Sequence, residues 1–137
     1  MADPARHARG LIDTSVVVDM EQIRASRLPL EVAVSAITMA ELTAGPHAAA
    51  NADERARRQD RLQRAEAAFD PLPFDGESAR AYGRVYAAVV ASGRKARGAR
   101  AADLLIAATA VAARIPLYTR NAADFQMIGQ LTDVVEV

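Results

Sequence analysis

Three carboxylates stand in company that a charged side chain does not ordinarily keep. Asp13 follows the aliphatic run Gly10-Leu11-Ile12, and Glu41 lies in Ser35-Ala-Ile-Thr-Met-Ala-Glu41-Leu42, with almost no other charge nearby. Asp103 opens the most apolar stretch of the chain, Ala101-Ala102-Asp103-Leu104-Leu105-Ile106. Burying an ionised carboxylate costs free energy unless something compensates it. One compensation is a divalent cation such as Mg²⁺, held by acids that converge from distant segments. Each acid also has a plain structural use. Asp13 suits a helix N-cap, Asp103 complements the positive end of a helix, and Glu41 can face solvent. Asp124 can close an Asn121-x-x-Asp124 cap. The acids taken singly leave both uses open.

Composition removes several other chemistries. The chain has no cysteine, so disulfides, thiolate metal sites and a cysteine nucleophile are excluded together. Its two histidines, His7 and His47, fall in expected loops, which disfavours a histidine zinc site. Basic and acidic residues balance at 17 each, so a globally basic nucleic-acid protein is excluded, though a local basic patch is not. Arginine outnumbers lysine 16 to one, a bias that a GC-rich genome would impose on any protein and that carries little functional weight alone. No tryptophan and only three each of Tyr and Phe argue against an aromatic platform for stacking bases. No apolar run reaches the roughly 18 residues needed to span a bilayer, and the first residues lack the apolar core of a signal peptide. A soluble, cytoplasmic protein with no membrane partner is the expectation.

The elements that must position these acids can be read from periodicity and caps. Gly10–Asp13 is a short buried strand, followed by a helix over Ser15–Arg24. Glu31–Ser35 is a second strand, and the helix Ala36–Ala44 stops at Gly45-Pro46. Asn51-Ala-Asp-Glu54 has the form of a capping box. It opens a helix to about Phe69 whose arginines 55 to 64 alternate with acids and suit i,i+4 pairing. Leu72-Pro73-Phe74 is an extended link. A helix over Glu77–Ser92 spaces Tyr82, Val85, Tyr86 and Val89 to bury one face. After a glycine-bearing loop come the helix Ala101–Arg114, the strand Pro116–Thr119, a helical turn over Asn121–Phe125 and a last strand, Val134–Val137. Short apolar strands alternating with helices predict a single α/β domain over residues 1–137. Its sheet is expected to be central and mostly parallel, with about four to five short strands and helices on both faces.

Four ordered motifs now stand out, each around one acid. Leu11-Ile12-Asp13-Thr14-Ser15, Ser35-x-Ile37-Thr38-x-x-Glu41-Leu42-x-x-Gly45, Asp103-Leu104-Leu105-Ile106-Ala107-Ala108 and Thr119-Arg120-Asn121-x-x-Asp124-Phe125 together resemble the PIN domain. The resemblance is to its VapC-type toxins of type II toxin–antitoxin pairs and spans nearly the whole chain. It implies an endoribonuclease that uses Mg²⁺, or Mn²⁺ in its place, at an acidic catalytic cluster of Asp13, Glu41, Asp103 and Asp124. Asp13 and Asp103 would be the principal metal ligands, with Glu41 completing the cluster directly or through water. The fourth family acid usually follows the last strand of the core. Here Asn121 holds that position and Asp124 comes three residues later, so either could supply the fourth ligand. The implied partners are an RNA substrate, a cognate antitoxin and a second copy of the chain in a homodimer.

Hydroxyls and cations near these acids are the candidates for gripping substrate. Thr14, Ser15 and Thr119 either hydrogen-bond phosphate or a water, or serve as caps. Arg94, Lys95, Arg97 and Arg100 form a basic loop just before Asp103, and Arg120 follows the third expected strand; all five suit phosphate contacts. Two rival classes remain. A non-catalytic α/β binding module would use the acids only as caps and act through a protein partner. A phosphatase with Asp13 as nucleophile would ordinarily need a second Asp two positions on, where Ser15 stands.

Overall fold

The computed structural model describes residues 7–94 and 101–137. Four strands, β1 (Arg9–Ile12), β2 (Glu31–Val34), β3 (Leu117–Thr119) and β4 (Val134–Glu136), form one sheet in the order β2-β1-β3-β4. Every neighbouring pair is parallel. Leu11 stands opposite Ala33 on one side and Leu117 on the other, and Leu117 stands opposite Val134. The helices are α1 (Thr14–Val18), α2 (Ala36–Ala44), α3 (Ala52–Ala68), α4 (Gly76–Ala91) and α5 (Ala101–Ala113).

The two-residue alternation of the strands divides the core. Leu11, Ala33 and Leu117 face α4 and α5, where they meet Val85, Val89, Leu104, Ala107 and Val111, with Phe125 and Ile128 closing the layer. Ile12, Val34 and Tyr118 face the other way, onto Val16 and Val17 of α1, Leu42 of α2 and Leu62 and Ala65 of α3. Full burial of one such aliphatic contributes about 1.5–3 kcal/mol, so one-residue slippage of any strand would exchange the two layers and is strongly disfavoured.

Caps set the helix limits. Ser35, Asn51 and Asp75 each accept a backbone N–H from the first turn of α2, α3 and α4, at 3.0, 2.8 and 2.9 Å. Along α3, Glu54 pairs with Arg57 and Arg58, and Arg64 with Asp60 and Glu21. Hydrogen bonds from Arg57 and Arg58 hold the Glu54 carboxyl below its ordinary pKa. At the end of α4, Gly93 adopts φ +80° while its N–H bonds Val90 O and that of Arg94 bonds Val89 O. That is a Schellman termination, for which glycine is the usual residue.

The sheet is the expected parallel one, with four strands among the described residues. Several other elements differ from the sequence reading. The first helix ends at Val18 rather than Arg24, and 3₁₀ turns at Met20–Gln22 and Ala25–Arg27 replace its second half. Three consecutive β-branched valines hold few helical rotamers, and Asp19 leaves helical geometry at φ −100°, ψ 11°. The turn after β3 is a longer 3₁₀ segment, Ala122–Ile128. The buried face of α4 is Ser78, Ala81, Val85 and Val89, and Tyr86 remains 36% exposed. Small residues at 78 and 81 let α4 lie close to α5, and Tyr86, about 100° round the helix from Val85, is turned outward.

Candidate functional site

In a parallel sheet the ligand crevice lies beyond the carboxyl ends of the strands, where the strand order reverses. Here the chain leaves β1 for β2 on one side and returns past it to β3 on the other. The reversal therefore falls between the ends of β1 and β3, at Asp13 and Thr119. The helices α2 and α5 connect parallel strands, so both begin at this same edge. Ser35 and Asp103 are thereby brought to it.

Asp13 is 3% exposed. Its backbone N–H donates to Tyr118 O at 3.0 Å, which ties it to the neighbouring strand. Its Oδ1 accepts from Val16 N at 3.1 Å and from Ser15 Oγ at 2.6 Å. The N-cap reading of Asp13 is thus realised, but on one oxygen; Oδ2 is left for another ligand. Ser15 Oγ also accepts the Arg120 backbone N–H at 3.1 Å, so it stitches the loop after β3 to the loop after β1. With both its bonds used in this way, Ser15 positions Asp13.

Thr14 neither caps α1 nor stands idle. Its Oγ1 donates to Glu41 Oε1 at 2.5 Å and lies 3.1 Å from Thr38 Oγ1. Thr38 is fully buried and lies 3.3 Å from Ser35 Oγ. A hydroxyl has one proton, so with Thr14 donating to the carboxylate, Thr38 can donate to Thr14 and Ser35 to Thr38. The exposed Glu41 is held over the Asp13 turn by this chain. Sequence reasoning places Ser35 and Thr38 in a motif without giving either a role at the site. A signal for that role exists: Ser35, Thr38 and Glu41 recur every three residues on one helix face.

The remaining candidates divide. Asp103 lies half-buried in the first turn of α5, and Asp124 is exposed in the first turn after Asn121. The Asn121 side chain makes no cap; its carbonyl accepts Asp124 N–H at 3.0 Å. Instead Glu136 Oε1 accepts the Ala122 N–H at 3.1 Å. Thr119 Oγ1 is buried and accepts the Asn121 N–H at 3.1 Å, so it shapes the turn. Arg120 pairs with Asp19 at 3.3 Å. Arg94 is exposed and forms no ion pair among the described residues, whereas Lys95, Arg97 and Arg100 lie outside them. Among the described residues, no three acids or histidines are arranged so as to enclose a cation.

The donor set suits Mg²⁺ nonetheless. All the candidates are hard oxygens, and Asp13 offers a free oxygen beside a rigidly held one. Mg²⁺ ordinarily keeps several waters and takes one or two carboxylates together with substrate phosphates. It does not require a closed protein cage.

The class follows from this fold and edge. A model of the PIN domain matches residues 10–129, and the chain belongs to the PIN-domain family. Within that family it is similar to Ribonuclease VapC5 of Mycobacterium tuberculosis (strain ATCC 25618 / H37Rv). The two are 37% identical over 117 residues, 83% of this chain and 84% of the relative. The crystal structure of VapBC-5 from Mycobacterium tuberculosis, a member of the VapBC family of toxin-antitoxin systems, superposes with a TM-score of 0.80 at 34% identity. That match covers 95% of this chain and 99% of the other. VapBC2 from Rickettsia felis, bound to a DNA fragment from its promoter, shares the fold at a TM-score of 0.75 and 22% identity, covering 94% and 98%. No helix of the described residues is long and apolar enough to cross a membrane.

Proposed function

We propose that this chain is the toxin of a toxin–antitoxin pair, a Mg²⁺-dependent endoribonuclease that hydrolyses RNA phosphodiester bonds at the edge between β1 and β3. The observation that carries the reading is Asp13: a buried carboxylate at the switch point, fixed through one oxygen and open at the other. The 37% identity to Ribonuclease VapC5 supports the activity class.

In this reading Asp13, Asp103 and Glu41 hold the cation, with Asn121 or Asp124 contributing from the opposite loop. Mg²⁺, or Mn²⁺ in its place, supplies when bound a positive charge opposite the phosphoryl oxygens and makes water more acidic. Ser15 keeps the Asp13 carboxylate in one orientation, and Thr14 does the same for Glu41. Of the candidate cations near the site that are described, Arg94 forms no ion pair and would meet a backbone phosphate, while Arg120 would share its charge with Asp19. Lys95, Arg97 and Arg100 would extend that contact.

The antitoxin is assigned by likeness to the VapBC-5 assembly. A groove of about 320 Å³ between α1 and α3, with Val17, Val18, Met20 and Phe69 among its apolar residues and Arg57, Asp60 and Arg61 among its charged ones, suits an amphipathic helix of such a partner. The outward flank of α4, with Tyr86 and Val90 exposed, is surface for a second copy.

The test is cleavage of total RNA by the purified chain with Mg²⁺, with EDTA, and with Asp103→Asn. Cleavage ends should appear only with metal and fall at least about a hundredfold in Asp103→Asn, a loss of about 2.7 kcal/mol in the barrier. Metal-independent ends of equal yield would sink the proposal.

A further inference from the structure

At the other edge of the sheet lies a cleft of about 830 Å³ between the start of α4, the end of α5 and the segment leading into β4. Its walls carry Arg80, Arg84 and Arg114 over an apolar floor that includes Val111 and Leu131. Two acids share its rim: Glu77 pairs with Arg80 at 3.7 Å, and Asp133 stands 3.9 Å from His7. Arg84 and Arg114 have no ion-pair partner among the described residues. Glu77 and Asp133 offset part of this charge, yet Arg84 and Arg114 are left without a carboxylate of their own among these residues, and an anion entering the cleft would be attracted to them.

Arg114 adds a second observation. It sits at φ 58°, in the left-handed region, at the end of α5. Its N–H bonds Val111 O and the Ile115 N–H bonds Ala110 O, the Schellman pattern in which glycine is usual. A β-carbon is disfavoured there. One cation beside the last carbonyls of α5 would complement the helix dipole. That accounts for Arg114, and Glu77 partners Arg80, but Arg84 has no such partner among the described residues.

We propose that this cleft is a second RNA-backbone site, in which Arg80, Arg84 and Arg114 grip phosphates remote from the bond that is cut. The inference rests on the ribonuclease reading above. The planar guanidinium fork matches phosphate oxygens two at a time. Arg114 follows Asp103 by 11 residues along α5, which places the cleft about 16 Å from Asp103 and distinct from the acid edge. Arg80 and Arg84 share one flank of α4, while Tyr86 and Val90 lie on the other. Beyond the far end of the same helix, after Gly93, comes Arg94. An RNA strand laid along the basic flank would therefore meet cations at both ends.

The experiment measures binding of a fluorescently labelled single-stranded RNA, longer than α4, in EDTA across a salt series. It compares the unsubstituted chain with Arg84→Gln/Arg114→Gly, and with Arg55→Gln on α3 as control. The double variant should bind at least about tenfold more weakly. Its slope of log K against log salt should fall by about 1.4, because two phosphates are no longer neutralised. Arg114→Gly alone should raise Tm by about 2–5 °C while weakening RNA binding, opposite signs that a purely structural arginine would not give. Unchanged affinity and slope in the double variant would overturn the proposal. So would a poly-glutamate peptide that binds the unsubstituted chain as tightly as RNA and is released by the double substitution, since the cleft would then serve an acidic protein. Cleavage of the same RNA with Mg²⁺ is scored separately: binding without cleavage would count against the ribonuclease reading and leave the cleft's RNA contact standing.

Discussion

Asp13→Asn is expected to abolish RNA cleavage and leave the chain folded. Asn accepts the Val16 N–H as well as Asp does, because both are strong N-cap residues. Ser15 can still donate to the amide oxygen. What disappears is the negative charge facing the crevice. Metal stabilisation of phosphoryl charge is worth several kcal/mol, and each ~1.4 kcal/mol is tenfold in rate, so a loss on the order of a thousandfold is expected. The metal-free variant should melt at or above the parent, since a carboxylate only 3% exposed no longer has to be kept ionised. Gel analysis of cleavage with parallel thermal melts reads both. Retained cleavage would remove Asp13 from the mechanism, and a much lower Tm would show that its role is structural.

Gly10→Ala should be the most damaging single methyl addition available in the sheet. A β-carbon at Gly10 would stand 2.6 Å from Tyr118 Cε1, 2.8 Å from Cδ1 and 3.1 Å from Pro29 Cγ. Tyr118 is 1% exposed and cannot swing aside without opening the layer it shares with Ile12 and Val34. Overpacking of this kind costs about 2 kcal/mol, or roughly 6–10 °C in Tm for a chain of this size. Cleavage should fall as well, because the Tyr118 carbonyl holds the Asp13 N–H. Gly83→Ala is the contrasting case. Nothing lies within 4 Å of its added carbon, so replacing glycine inside α4 should gain about 0.5–1 kcal/mol. Denaturant melts that ranked the two substitutions alike would contradict this packing.

The helix limits and the sheet edge are legible in the sequence because they follow from local chemistry. Ser35, Asn51 and the Gly45-Pro46 stop announce α2 and α3 through groups that act within one turn. The apolar setting of Asp13 likewise marks an acid that the fold buries, whereas Glu41, in equally apolar sequence, is exposed and Asp103 only half-buried. What cannot be read depends on partners far apart in sequence. Nothing local tells that Ser15 serves Asp13 and the Arg120 backbone at once, or that Thr14 reaches across to Glu41. Arg120 reads as a free cation until Asp19 is seen beside it. The first helix reads as too long because Met20 and Ile23 continue the apolar period, while the strain of three adjacent valines acts through rotamers. Arg114 gives no signal at all: periodicity says nothing about the sign of φ.

The pairing of β1 with β3 joins Leu11 to Leu117 and, through Ser15, residues 105 positions apart. Contacts of that span form only after the intervening chain has been made and folded back. A partly synthesised chain therefore has Asp13, Thr14 and Glu41 but neither β3 nor the Arg120 backbone to fix their edge. For a protein read as a toxin, strand order carries an expectation: a chain cut short before β3 should lack the fixed acid edge and its activity, and hazard should begin only once that strand has been made.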